Sequence, residues 1–212
     1  MSLRPFRIRP RQTPRRPGVL AVVLLAFLTV ILGGCGPFGD DYAFQGGEIP
    51  PPNPAPALTL TDQHGQPFDL ASQRGRAVLL FFGYTHCPDV CPTTLSDFLT
   101  VRDALGDRAD DVAFVFVTVD PARDTPDRLA QYLDFFDPGF IGLTGTDEQI
   151  AQAKQGYGVY SRIQESTSSL GYLVDHTSAM FVIDPDGNER LTYPYGTEPA
   201  IVAEDVSHLL DA

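Results

Sequence analysis

Lysine is almost missing from this 212-residue chain: Lys154 stands alone, and arginine supplies the other 14 cations. Six of those arginines (Arg4, Arg7, Arg9, Arg11, Arg15 and Arg16) fall within the first 18 residues, which carry no acid. From residue 35 onward nine cations face 27 acids, a net charge of −18. A surface of that sign repels nucleic acid and anionic lipid headgroups, so partners held through phosphate are excluded. The excess acid reads as ordinary solubility. Cysteine is scarce too, at Cys35, Cys87 and Cys91. No apolar run reaches membrane-spanning length: Val19 to Leu32 covers 14 residues, where a span needs about 20. There is no internal repeat, and no proline stands between Pro138 and Pro185.

What is present begins with that basic head and short apolar core. Together with the small residues after them they make a secretory signal over residues 1–34. Its end, Leu32-Gly33-Gly34-Cys35, resembles the bacterial lipobox, in which the cysteine is lipidated and becomes the new N-terminus. The competing reading is an uncleaved signal anchor. Arg15-Arg16 matches the twin-arginine pair without the rest of that pattern. Lipidation of Cys35 settles the cysteine arithmetic, because Cys87 and Cys91 then remain as a pair. Residues 35–56, with Pro50-Pro51-Pro52-Asn53-Pro54-Ala55-Pro56, read as a Pro/Gly-rich tether. The expected location is the outer face of the cytoplasmic membrane, lipid-anchored.

The domain is expected over residues 57–212. Leu58-Thr59-Leu60 and Phe68-Asp69-Leu70 read as short strands, and Ala77–Phe82 and Val112–Val119 as buried ones. A helix is predicted up to about Leu105. Thr125 caps a second with Pro126 at its first position, running to about Phe136. Thr146 to Gln149 opens a third with a capping-box pattern. Phe140–Leu143, Tyr157–Ile163, Tyr172–Val174 and Ala179–Ile183 read as strands. Asp184–Asn188 turns the last into a hairpin through Glu189–Tyr193, and a helix covers about Glu198 to Leu210. Strands alternating with helices predict an α/β fold: a mixed central sheet flanked by helices, thioredoxin-like in having a cysteine pair after its first long strand.

That pair lies in Gly83-Tyr84-Thr85-His86-Cys87-Pro88-Asp89-Val90-Cys91-Pro92, between a strand and a helix. A four-residue offset puts both thiols on one helical face, and a helix N-terminus favours the thiolate. Thiolates serve disulfide exchange and soft-metal binding alike. A small structural disulfide in an exported protein is the plainer alternative. Val174-Asp175-His176-Thr177-Ser178 precedes the Ala179–Ile183 strand, where a thioredoxin-like sheet faces the cysteine junction. Ordinary thioredoxins carry a cis-proline there, and here a histidine takes the neighbourhood. Two soft thiolates and an imidazole suit copper, Cu(I) through the thiolates and Cu(II) through the mixed set. Zinc accepts the same ligand types.

Gly83–Pro92, Asp120-Pro121-Ala122-Arg123-Asp124-Thr125-Pro126, and Val174–Thr177 with Phe181-Val182-Ile183-Asp184 resemble the three signatures of the Sco (SenC) family, in order and spacing. The resemblance covers roughly Leu58 to Leu210. It implies a membrane-tethered, thioredoxin-fold copper protein that helps assemble the dinuclear copper centre of cytochrome c oxidase. It implies Cys87, Cys91 and His176 as metal ligands, with Cys87 and Cys91 also a redox-active pair. An oxidase copper-centre subunit, a thiol reductant and a copper donor are the implied partners. Family members mostly keep an uncleaved N-terminal helix, from which the lipobox departs. A thiol–disulfide reductase that keeps the oxidase's copper-ligand cysteines reduced is the second reading. A peroxiredoxin-type peroxidase ranks last, since the proline its cysteine setting needs is missing before Cys87.

Other residues have plainer roles. His86 points away from Cys87, because neighbours on an extended segment diverge. His64 and His208 are expected in solvent, and Met180 in the core. Asp89 either raises the thiol pKa by repulsion or caps the helix. Asp175 is a candidate to orient the His176 ring. Asp120 and Asp124 are expected to fix their turn through side-chain to backbone bonds.

Overall fold

The computed structural model describes residues 42–51, 53–165 and 171–211. The chain divides into two units, Met1–Ala43 and Phe44–Ala212. Apart from Tyr42 and Ala43, the first lies outside the described residues, and with it the expected signal and Cys35. Among the described residues no helix is long and apolar enough to cross a membrane.

The second unit is organised by two strands, β4 (Ala77–Gly83) and β5 (Val112–Thr118), each buried at all seven positions. They pair in parallel at the centre of an eight-stranded sheet. Continuous apolar sequence is what a strand covered on both faces requires, and Phe81, Phe82 and Phe116 are fully enclosed there. Each such side chain contributes about 1.5–3 kcal/mol by leaving water. Around this pair lie β1 (Gly47–Glu48), β2 (Thr59–Asp62), β3 (Pro67–Asp69), β6 (Ile141–Thr144), β9 (Met180–Ile183) and β10 (Glu189–Tyr193), in the order β1-β10-β9-β4-β5-β6-β2-β3. The two remaining strands among the described residues, β7 (Ser161–Gln164) and β8 (Leu173–His176), form a separate antiparallel pair.

Among the described residues, four α-helices flank the sheet. α1 (Val90–Leu105) leaves the end of β4 and packs on α4 (Pro199–Asp211). α2 (Pro126–Leu133) lies on β6, and α3 (Asp147–Gly156) reaches β2. The predicted caps form: the Thr125 hydroxyl accepts from Arg128 N–H, and Thr146 and Gln149 complete a reciprocal capping box. This is the thioredoxin-like α/β fold, a mixed sheet flanked by helices.

The structure differs from the sequence reading in four places. α2 stops at Leu133 rather than near Phe136, where the Phe136 N–H bonds the Leu133 carbonyl three residues back instead of continuing the four-residue ladder. Tyr157–Val159 is not strand: Tyr157 caps α3 and Gly158 takes φ +63°, so β7 starts at Ser161. His208 is not free in solvent but stands edge-on to Phe44, ring centroids 5.6 Å apart. Most consequentially, residues 44–56 do not hang off the domain. β1 pairs with β10, Pro54 bridges Asn188, and Ala55 N–H bonds the Gly187 carbonyl. Gln45 and Gly46 give their N–H groups to the buried Asp205 carboxylate. A proline-rich sequence suits a tether and a sheet edge equally, so composition alone could not separate the two.

Candidate metal centre

Cys87, Cys91 and His176 come together at the carboxyl end of β4, their ligand atoms all within 4.8 Å of one another. Cys91 sits in the first turn of α1 and is fully buried, while Cys87 in the preceding loop is half-buried. Pro92 follows, where the first turn of a helix needs no N–H. The backbone lets the sulfur in close only because residue 83 is glycine: a Cβ there would stand 2.9 Å from Cys91 Sγ and 2.8 Å from the Phe81 and Phe116 rings.

His176 is the last residue of β8, so a hairpin strand rather than an open loop delivers it. Its Nε2 lies 3.5 Å from Cys91 Sγ. Its Nδ1 lies 2.9 Å from the Thr177 carbonyl oxygen. A carbonyl only accepts, so Nδ1 carries the proton and Nε2 turns its lone pair to the thiols. The ring stands edge-on to Phe81 and Tyr84, with centroids at 5.9 and 5.8 Å. Asp175 does not orient it; that carboxylate accepts from Gln164 Nε2 at 2.6 Å instead.

The two thiols have opposite electrostatics. Cys87 is pushed down to about 4, foremost by its hydrogen bond from the Cys91 thiol, against the opposing effect of burial. The N–H groups of Asp89 and Cys91 add to the lowering. Asp89 thus acts through its backbone, and its side chain makes no cap bond. Burial drives Cys91 the other way, helped by donation to Cys87. The metal-free pair is one thiolate and one thiol, and a metal that takes both sulfurs releases the Cys91 proton.

His86 faces elsewhere, its Nδ1 3.1 Å from Thr85 Oγ1. Met180 is core, at 3 % exposure. Asp124 does more than fix its own turn. Fully buried, it accepts from Thr85 N–H at 3.0 Å, from Thr85 Oγ1 at 2.7 Å and from Thr118 Oγ1 at 2.6 Å. It thereby ties the cysteine loop to the end of β5, and burial raises its pKa. Asp120 pairs with Arg123 and accepts from Tyr172 Oη at 2.8 Å. Tyr84, Thr85, Arg123 and Tyr172 are the supporting residues that sequence reasoning did not single out. Arg123 and Asp124 do lie in the second of the three signature stretches, but their distant partners, Tyr172 and Thr85, are 49 and 39 residues away.

Residues 49–211 match the family model described as SCO1/SenC. The chain belongs to this family. Among its SCO1/SenC relatives, an SCO2-like protein of Rickettsia prowazekii is 40% identical over 129 residues, 60% of this chain and 63% of that protein. This chain therefore spans just under two thirds of that relative's length. The SenC protein of Rhodobacter capsulatus is 39% identical over 160 residues, 71% of this chain and 72% of that protein. The structure of Bradyrhizobium japonicum ScoI with copper bound superposes with a TM-score of 0.67 at 37% identity, covering 79% of this chain and 99% of that one.

Proposed function

We propose that this SCO1/SenC protein is a copper metallochaperone. It holds copper through Cys87, Cys91 and His176 and passes it to the subunit carrying the dinuclear copper centre of cytochrome c oxidase. The observation that carries this reading is the preformed cluster: two sulfurs and an imidazole nitrogen within 4.8 Å, in a donor set of the softness copper selects. The copper-bound ScoI relative supports the metal, and the family's link to oxidase assembly supports the recipient. The protein is membrane-associated on the extracytoplasmic side in this reading, anchored through lipidated Cys35 once residues 1–34 are removed. A thiol reductant readies the pair, and a copper donor loads it.

One observation favours a second role as a thiol–disulfide reductase. Cys87 is half-exposed with a depressed pKa, and Cys91 is buried behind it, the asymmetry that disulfide exchange uses. The deciding experiment is copper titration of the reduced and the oxidised full chain, with thiols counted before and after. Reduced protein should bind one copper per chain. The disulfide form should bind none tightly, because a sulfur in a disulfide is no longer an anionic ligand. Equal affinity in both states would remove the cysteines from the site. Full exchange activity on a generic disulfide by His176→Ala, with no copper binding in any form, would leave the reductase.

A further inference from the structure

The three ligands are not carried by one piece of structure. Cys87 and Cys91 belong to the junction of β4 and α1, inside the eight-stranded sheet and its helices. His176 belongs to the β7–β8 hairpin, a separate two-stranded sheet. Something has to hold that hairpin at the depth where Nε2 meets the sulfurs.

Arg123 stands at the seam. It lies in the turn between β5 and α2, and its side chain is 18% exposed. Nε donates to the Asp120 carboxylate, in a short ion pair within the same turn. Nη1 donates to the carbonyl of Tyr172, the residue before β8, at 3.0 Å. The guanidinium plane sits 3.6 Å over the Tyr172 ring, and the Tyr172 hydroxyl returns a 2.8 Å bond to Asp120. The other side of the same cation looks to the Tyr84 ring at 5.7 Å. Tyr84 accepts from Val174 N–H at 3.2 Å through its hydroxyl and lies edge-on to His176. Asp120, Arg123 and Tyr172 make a closed ring of contacts, and Tyr84 joins it to the imidazole. A planar fork that hydrogen-bonds two acceptors and stacks on a ring cannot be replaced by lysine.

We infer that Arg123 is a positioning residue for His176: by clamping the start of β8 to the β5–α2 turn it sets where the imidazole meets the thiols, and so it governs Cu(II) binding selectively over Cu(I). This rests on the copper reading above. The selectivity follows from the ligands. Two thiolates on the rigid junction still hold Cu(I) when the hairpin drifts, whereas Cu(II) needs the nitrogen. Groups that orient a ligand without touching the metal are worth about 10- to 100-fold in affinity.

The test compares Arg123→Ala, Arg123→Lys and His176→Ala in the full chain, purified in mild detergent and reduced. Arg123→Ala should weaken Cu(II) about 10- to 100-fold and move its electron paramagnetic and visible spectra toward those of His176→Ala. Cu(I) affinity, read by competition with a chelator, should stay within roughly twofold. Arg123→Lys should shift the same spectra in the same direction, and it carries the test if the alanine variant does not fold. Unchanged Cu(II) spectra, or Cu(I) and Cu(II) weakened equally, would overturn the inference. If the wild type binds no copper, the copper reading falls, and the positioning claim is decided by NMR on the metal-free protein. Cross-relaxation between the His176 ring and the Cys91 side chain should then be present in wild type and lost in Arg123→Ala, and its persistence would overturn the claim.

Discussion

The cysteine junction and the histidine hairpin meet at one candidate metal centre but are built on different terms. The junction follows a strand buried at seven of seven positions and is pinned from below by Gly83 and from the side by Asp124. The hairpin's strands have four residues each, and Arg162, Ile163 and Asp175 face solvent. The first is fixed by the hydrophobic core throughout, the second by one buried core residue, Val174, and a handful of directional bonds. The thiol pair shares the stability of that core, while the imidazole depends on the fewer contacts that hold β8. In the proposed chaperone role, one firm half and one yielding half would serve a site that accepts and surrenders copper.

Matched substitutions on the two sides give the largest expected effect. Asp124→Ala strips the acceptor from the buried Thr85 N–H and from two hydroxyls, and should cost about 3 kcal/mol. Ile163→Ala, on a side chain 58% exposed, should stay within about 0.5 kcal/mol. Urea unfolding of the reduced proteins measures both, and equal losses would erase the contrast.

His176→Ala separates the halves by function. It removes a ring edge-on to Phe81 and Tyr84, worth about 1 kcal/mol, yet should abolish the Cu(II) spectrum while Cu(I) remains bound. An unaltered Cu(II) spectrum in this variant would take the hairpin out of the site.

A pH dependence of the reduced, metal-free protein tests the junction alone. Folding lowers Cys87 from its ordinary value of 9 to about 4. Because the folded state holds that proton less tightly than the unfolded chain does, this group adds stability fully above pH 9, and the gain fades as pH falls to about 4. Cys91 is shifted upward, so above its ordinary range the unfolded chain ionises first and stability falls again. Buried Asp124 and Glu189, both raised by burial, titrate in wild type and variant alike. The difference between wild type and Cys87→Ser therefore isolates the thiol. A flat difference from pH 5 to 9, the interval over which the Cys87 shift acts, would contradict the assigned thiolate.

Local pattern made much of this legible. The apolar runs of β4 and β5, the caps at Thr125 and Thr146, and the cysteine spacing each announce themselves within a few residues. His176 was found by its place before β9, which needs the fold as well as the letters. The bonds of Asp124 and Arg123 were not legible, because they join residues 39 and 49 positions apart and a carboxylate in a turn looks alike whether it caps locally or reaches across. Residues 44–56 misled for a different reason. An extended, proline-rich backbone is the same whether it runs through water or lies along β10, and what decides is whether a neighbouring edge has N–H and C=O groups to offer.

That edge has a consequence for solubility. The long, apolar interior of this sheet would be a template for other chains if its flanks were open. One flank ends in the two-residue β1, halted by Pro50 and Pro51, and the other in the three-residue β3, which begins with Pro67. Proline offers no N–H to an incoming strand. Of the segment that composition marks as a leash, the described residues 44–51 and 53–56 are the sheet's selvedge: a domain trimmed to begin at Ala57 would bare the β1 side of β10 to self-pairing.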